Sequence, residues 1–338
     1  MKTFHRLLAA LLCLALPAGA LTTCRQAADS TTPSITDSSA STDITPPETA
    51  YDPALYVVIR SAEDLMAFNR AVNVDEYDFA GMTVIFLADL DMTDYTWHPL
   101  NGHCLSNVTF DGEGHTLRGL RLPDHEVVDA PMTGCGFVGV TTEDITFRNL
   151  TLEDTRVTAY DHSVGNFIGA VRGGTATFEG CRSLDFSAEG WMDWLNRDTA
   201  TGGHTTASRL GGFVGYIGEN GAARFTDCAA ENLTLRGFHN LAGFVGYDGS
   251  GTLTAQDFTR CTVRKATLTF SYPLAEGFDT HQPQKFVAVF YNAADWQDTL
   301  APCTNAGNTY EQITYCDWAN DGATYTPEHF RSDAGEEE

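Results

Sequence analysis

Gly136-Phe137-Val138-Gly139 returns along the chain as Asn166-Phe167-Ile168-Gly169, Gly212-Phe213-Val214-Gly215 and Gly243-Phe244-Val245-Gly246. The phenylalanines of these tetrads lie 30, 46 and 31 residues apart. A second landmark follows each tetrad: Phe147-Arg148-Asn149-Leu150, Phe178-Glu179-Gly180-Cys181, Phe225-Thr226-Asp227-Cys228 and Phe258-Thr259-Arg260-Cys261, spaced by 31, 47 and 33. Two independent landmarks give one period near 31, with an insertion of about 15 residues in the middle unit. Repetition at this length is the mark of a stacked architecture.

Each unit consists of short β-rich pieces bounded by glycine, and none could bury its apolar face alone. Stacking the units aligns equivalent residues about 4.8 Å apart and joins those faces into one core. Leu150, Cys181, Cys228 and Cys261 then share a core position, while Asp154, Asp185, Asn232 and Lys265 share an outward or turn position. Helix-period runs are scarce after Gly81. Ahead of the repeats, Ser61-Ala62-Glu63-Asp64 reads as a helix start with Asp64 as capping-box acid, and Leu65, Phe68 and Val72 continue at helical spacing. Strand-like Val84-Ile85-Phe86-Leu87 and Val108-Thr109-Phe110 follow, then the turn Asp111-Gly112-Glu113-Gly114.

From Tyr56 to Leu122 the chain resembles the lead-in region of bacterial surface proteins with GLUG-type repeats, named for a G-L-x-G tetrad. The matching pieces are Ser61-Ala62-Glu63-Asp64-Leu65, Asp89-Leu90-Asp91-Met92, Trp97-His98-Pro99-Leu100 and Phe110-Asp111-Gly112-Glu113-Gly114-His115-Thr116-Leu117. The four tetrads match the repeat itself, with Phe in place of Leu, so the resemblance runs to about Leu268. It implies an all-β fold, a right-handed parallel β-helix displayed outside the cell, often as a non-catalytic part of an adhesin or of a larger secreted enzyme. Such motifs specify a fold better than a ligand. With the landmarks, they divide the chain into a solenoid with a short N-terminal capping helix over 51–290 and an irregular C-terminal cap and frayed tail over 291–338.

The N-terminus reads as an export signal over 1–23. Lys2 and Arg6 precede the apolar run Leu7 to Leu16, and Pro17 precedes Ala18-Gly19-Ala20. The run is too short for a stable bilayer span, which needs about 20 apolar residues. Leu21-Thr22-Thr23-Cys24 resembles a bacterial lipoprotein box that would make Cys24 the lipid anchor, although Thr23 departs from the usual small residue. Cleavage after Ala20 and simple secretion is the alternative. Fourteen of the 26 residues from Arg25 to Ala50 are Ser, Thr or Pro, with no aromatic, so 24–50 is expected to be a disordered tether.

Composition narrows the partners. The 338 residues carry 45 acidic and 20 basic side chains, a formal charge of −25, and only three lysines. Nucleic acid and anionic membrane surfaces need a basic face and are excluded as partners. Contact with a membrane is expected only through the lipid anchor. Of nine cysteines, Cys13 and Cys24 belong to the leader. Cys181, Cys228 and Cys261 read as buried thiols, and Cys104 with Cys135 and Cys303 with Cys316 are the disulfide candidates. The absence of any C-x-x-C pair speaks against a zinc ribbon.

No catalytic constellation stands out. His125-Glu126-Val127-Val128-Asp129 is one residue short of H-E-x-x-H, and Pro123 and Pro131 bracket a segment too short for the helix that motif needs. Asp161-His162-Ser163-Val164-Gly165 lacks the first glycine of a nucleophile elbow and runs into a tetrad instead of a helix. Gly114-His115 is similar to pairs in pectin-cleaving β-helices, but no matching set of acids and Arg or Lys on neighbouring units is evident in the sequence. Asp89, Asp91 and Asp94 read as solvated charge ahead of weak calcium ligands. The N-x-T triplets at Asn107, Asn149 and Asn232 read as turn and ladder asparagines. The middle insertion, Ser187 to Arg209, is the best candidate binding element. Its Trp191, Asp193, Trp194 and His204 could stack on sugar rings or hold a protein partner.

The reading is a cell-surface, lipid-anchored or secreted solenoid. It acts as a monomeric, non-catalytic module for a glycan or a host or cell-surface protein, without cofactor or metal. A polysaccharide lyase or glycoside hydrolase on a β-helix is one alternative, and a structural envelope spacer is another.

Overall fold

The computed structural model describes residues 51–122, 134–158, 163–190, 209–237, 240–270, 288–293, 306–317 and 322–327. Residues 1–50, with Cys24 and the tether, lie outside them. From Tyr56 onward the chain forms one unit. Among the described residues the α-helix spans Ala62–Asn73, and no helix is long and apolar enough to cross a membrane. Ser61 caps the helix by accepting the Asp64 N–H at 3.2 Å. Asp64 departs from the reciprocal box: its carboxylate reaches one residue further back, to the Arg60 N–H at 2.9 Å. The buried face, Leu65, Phe68 and Val72, joins the main core, where Phe68 tilts onto Phe79 at 4.8 Å between ring centroids.

Beyond the helix the described strands pair in parallel, apart from the last, Ala323–Tyr325. The first ten-stranded sheet runs through Tyr56–Ile59, Thr83–Phe86, Val108–Asp111, Ile145–Arg148, Ile168–Glu179, Val214–Thr226, Val245–Asp248 and Tyr291–Ala293, with Val138–Thr141 and Phe258–Thr259 as side pairings. A second ten-stranded sheet includes Thr116–Arg118, Thr151–Glu153, Arg182–Leu184, Ala229–Gly237, Thr262–Phe270 and Thr309–Asp317. A four-stranded sheet holds Gly134–Cys135, Ser163–Gly165, Arg209–Gly211 and Leu241–Ala242. Successive units pair in the register the landmarks imply: Phe147 with Phe178, Phe178 with Phe225, and Phe225 with Phe258.

Register places identical side chains on top of one another, and two aromatic rows result. Trp97 stacks on Phe137 at 5.0 Å, Phe167 on Phe213 at 4.9 Å, and Phe213 on Phe244 at 4.7 Å. The second row runs Phe110, Phe147, Phe178, Phe225 and Phe258, with neighbouring centroids 4.9–5.3 Å apart. Edge-to-face contacts such as Phe178 on Phe213, at 5.5 Å, knit the rows together. Each such pair adds about 0.5–1.5 kcal/mol beyond its burial. The tetrad glycines are required by backbone approach. A Cβ on Gly169 would lie 2.2 Å from the Cys135 nitrogen, and one on Gly215 would lie 2.4 Å from the Val164 nitrogen.

The shared turn position is confirmed in backbone terms: Asp154, Asp185, Asn232 and Lys265 all have φ between 50° and 56°. Asn149, Asp227 and Arg260 form a second such row, which begins at Gly114 and passes through Gly180. Small polar residues and glycine tolerate this region best. Asn107 and Asn149 are therefore turn residues, at φ 55° and 48°, while Asn232, at φ 56°, sits within the strand Ala229–Gly237.

Three expectations need correction. The insertion is narrower than Ser187 to Arg209. Ser187–Gly190 pairs with Thr234–Gly237, and Arg209–Gly211 pairs with Ser163–Gly165, so both ends are repeat strands. The repeat also continues beyond residue 290. Tyr291–Ala293 extends the first sheet, and Thr309–Asp317 pairs in parallel along the whole of Thr262–Phe270. Among the described residues only Ala323–Tyr325, antiparallel to the strand before it, has the character of a terminating cap. Finally, Cys104 and Cys135 are both buried free thiols and not a disulfide: Cys104 faces the Val72 carbonyl at 3.8 Å. Cys316 is free as well, and Cys303 lies outside the described residues.

Candidate functional site: a tyrosine shelf beside the middle insertion

Five connections, 123–133, 159–162, 191–208, 238–239 and 271–287, interrupt the described repeats ahead of a tetrad or its counterpart, whereas 294–305 falls between strands of the first and second sheets. The four ending at Gly134, Ser163, Arg209 and Asn240 lead from the second sheet, or the bridge at Arg121 beside it, into the four-stranded sheet. The fifth leaves after Phe270 and returns at Ala288, just before the Phe290 that stacks on Phe244. The largest length differences thus fall at one corner of the repeat, although the step from tetrad Phe to landmark Phe also varies, from 10 to 11, 12 and 14 residues. Trp191, Asp193, Trp194 and His204 belong to the third connection and lie outside the described residues, as do His125 to Asp129 and His162. In sequence, each connection contains one histidine: His125, His162, His204, His239 and His281.

The described residue that closes the third connection is Arg209, and it returns onto aromatic side chains. Its guanidinium carbon sits 4.4 Å from the centre of the Tyr216 ring and 5.6 Å from that of Tyr247. The two tyrosines are register partners on adjacent units, with rings parallel to within 5° and centroids 6.1 Å apart. Each tyrosine precedes a buried residue that faces the other way: Ile217 and Asp248 are buried, whereas Tyr216 and Tyr247 are half-buried. Local glycines make room for the rings, since a Cβ on Gly249 would lie 2.8 Å from the Tyr216 ring edge and hydroxyl. After Tyr247 the backbone is fixed by Asp248, fully buried, whose carboxylate accepts the Ser250 N–H, the Ser250 hydroxyl and the Leu253 N–H at 2.9, 2.5 and 2.9 Å. The result is a half-exposed pair of stacked tyrosine rings with a cation beside both, worth about 0.5–1 kcal/mol of attraction at such a site. The sequence alone does not single out this pair, although a tyrosine directly follows the last glycine of the third and fourth tetrads.

Acids and arginines do meet across neighbouring units, contrary to the sequence impression. Arg148 lies between Asp111 at 3.8 Å and Glu179 at 3.2 Å, and Arg118 pairs with Glu153 at 3.0 Å. Glu231 pairs with Arg182 at 2.8 Å and also with Arg264, which in turn approaches Glu311 at 3.7 Å. These are charge ladders, with each carboxylate occupied by a guanidinium. Burial pushes the Glu231 carboxyl up, but Arg264 and Arg182 outweigh it and hold it below the ordinary value. A general acid needs the opposite shift.

The remaining sequence candidates resolve into local structure. Ser163 is buried in a strand of the four-stranded sheet. His115 bonds the Asp89 carboxylate at 3.2 Å, and the same oxygen accepts the Thr116 N–H at 2.8 Å. Asp91 accepts from Thr93. Among the described residues no group of three His, Cys, Asp or Glu is arranged to hold a metal ion.

No protein-family model matches the chain, and no curated protein matches it. Among solved structures, a Bacteroides ovatus protein carrying the provisional description of an immunoglobulin A1 protease is similar over 80% of this chain and 78% of its own. The identity is 15% and the TM-score 0.35, a likeness that informs neither fold nor activity.

Proposed function

We propose that the chain is a right-handed parallel β-solenoid that serves as a non-catalytic binding module at the cell surface, with a glycan as its ligand. Successive units contribute strands to the same parallel sheets in a kept register, which supports the solenoid. Crossovers between parallel strands are right-handed in about 98% of cases, which supports the hand. The leader and the Ser/Thr/Pro tether read from the sequence support export, with Cys24 as lipid anchor or with free secretion as the alternative.

The observation that carries the binding reading is the Tyr216–Tyr247 shelf under Arg209, at the foot of the connection holding Trp191 and Trp194. Parallel aromatic rings on a rigid scaffold present the apolar surface on which sugar rings stack, and a guanidinium beside them supplies hydrogen-bond donors. The arginine-occupied carboxylates favour binding over catalysis.

The test incubates the full chain with insoluble polysaccharides and mucin, and follows both retention on the solid and oligosaccharide released. Retention without release, lost in Y216A/Y247A, is expected. Release of oligosaccharide overturns the non-catalytic reading, and retention unchanged in the double variant overturns the shelf.

A further inference from the structure

The geometry points to a second binding site on the first sheet, a hydroxyl-lined groove for a neutral, polyhydroxylated saccharide. Thr83, Thr109, Thr146 and Thr177 are register partners on four successive strands, so their side chains form one outward row. At about 4.8 Å per strand, the row extends for about 14 Å. Arg224 takes the next position, paired with Thr177 in register and 4.0 Å from Asp257. Two residues earlier on each strand lie Asn107, Asp144 and Thr175, where the Asn107 N–H reaches the Asp144 carbonyl at 2.7 Å. The intervening residues, Val108, Ile145, Ala176 and Ala223, point into the core, which makes the row rigid.

Asn107, Asp144, Thr146, Thr175, Thr177 and Arg224 together line a groove of about 310 Å³. No apolar side chain lines it, so recognition there must proceed by hydrogen bonds. Among the described residues the hydroxyls of Thr146, Thr175 and Thr177 have no protein partner. Some threonines elsewhere are engaged, as Thr262 bonds Thr309 at 3.0 Å, Thr254 bonds Asp257 at 2.9 Å, and Thr141 bonds the Glu143 carbonyl at 3.0 Å. Asp144 is held in place by the Thr175 N–H at 2.7 Å on one carboxylate oxygen. One carboxylate and one guanidinium leave the lining with no net charge. Hydroxyls that both donate and accept, repeated at strand spacing and without net charge, match a neutral sugar chain better than an anionic or cationic ligand. The groove is independent of the tyrosine shelf, because a bend at Gly173 and Gly174 separates Thr175 and Thr177 from the tetrad end of the same strand.

Affinity electrophoresis of the full chain through gels containing a neutral glucan, mannan or galactan, with pectin and alginate as anionic comparators, tests this. Retardation by at least one neutral polymer is expected, and T146V/T177V, which removes two hydroxyls at nearly constant volume, should weaken it about tenfold. Melting temperatures within a few degrees of the parent would show that the variant is folded. Retardation by the anionic polymers alone, or by none, overturns the groove. Retardation abolished by Y216A/Y247A but unchanged in T146V/T177V overturns the groove and leaves the shelf standing. The reverse pattern supports the groove and counts against the shelf.

Discussion

Asn308 closes the row begun by Leu150, Cys181, Cys228 and Cys261. Its Oδ1 accepts the Cys261 N–H at 2.7 Å, and its Nδ2 donates to the Phe258 carbonyl at 2.9 Å. The side chain is almost fully buried, so both bonds are made away from water. Replacing it by leucine removes both partners' bonds and should cost about 1–3 kcal/mol, read by urea or guanidinium unfolding. An unchanged midpoint would mean that the last unit contributes nothing to the cooperative fold.

The aromatic rows should behave as the backbone of stability. Phe178 is fully buried, stacks on Phe147 and Phe225, and meets Phe167 and Phe213 edge-on. Phe178→Ala is expected to cost about 3–5 kcal/mol. Tyr216→Ala, a half-exposed site, should cost far less while impairing ligand retention.

Glycine at the tetrads is a steric demand, and at the turns a conformational one. Gly169→Ala places its methyl against the Cys135 backbone and should destabilise by about 3 kcal/mol or more. Gly81 has φ +73° with nothing near a Cβ, so Gly81→Ala should cost only about 1–2 kcal/mol for the left-handed conformation. Equal losses in the two variants would contradict the close-approach account.

Acid should unfold the protein through its charge ladders. Arg260 holds the Asp227 carboxyl below its usual value of 3.8, and Glu231 lies below 4.5 once Arg264 and Arg182 outweigh its burial. Carboxyls depressed in the folded state contribute stability that is fully present above those ordinary values. It is lost as pH falls through the lower folded ones. Melting temperature should therefore hold from neutrality to about pH 5 and drop toward about pH 3, with a shallower drop in Glu231→Gln.

The interior thiols should resist chemistry. Cys135, Cys181, Cys228 and Cys261 are all buried. Burial pushes the Cys135 thiol up to about 12, Cys228 rises chiefly from burial, and Cys261 rises chiefly through its contact with Cys228. Iodoacetamide at mildly alkaline pH should leave the peptides containing these four unmodified until denaturant is added, as mass spectrometry can check.

What the sequence revealed, and what it hid, follows from which residues repeat. The Phe and Cys landmarks were legible because a stacked core needs the same shape at the same place in every unit. The final units escaped notice because their chemistry changes at the end of the stack. Asn308 stands where Cys would, and Val289-Phe290-Tyr291-Asn292 replaces the glycine-bounded tetrad, with Asn292 donating to the Leu241 and Gly246 carbonyls at 3.1 Å each. Ser187-Ala188-Glu189-Gly190 hid as a strand because it lacks β-branched and aromatic residues, and only its partners Thr234 to Gly237 and Arg156 to Thr158 reveal it. The charge ladders and the threonine groove were invisible because each is assembled from residues far apart in the chain. The shortest step, Thr83 to Thr109, is 26 positions and the longest, Arg182 to Glu231, is 49, so they meet only once register is known.

The corner that carries these five connections has a consequence for how this molecule could change. The third connection spans 191–208 and the fourth only 238–239, yet the strands on either side, Ser187–Gly190 with Thr234–Gly237 and Leu210 with Leu241, stay in step. Length there is decoupled from the rest of the stack. New sequence can be spliced in at that edge without renegotiating a single rung, so one lineage could trade recognition loops while inheriting its framework intact, and an engineer could use the same seam as a ready-made cassette.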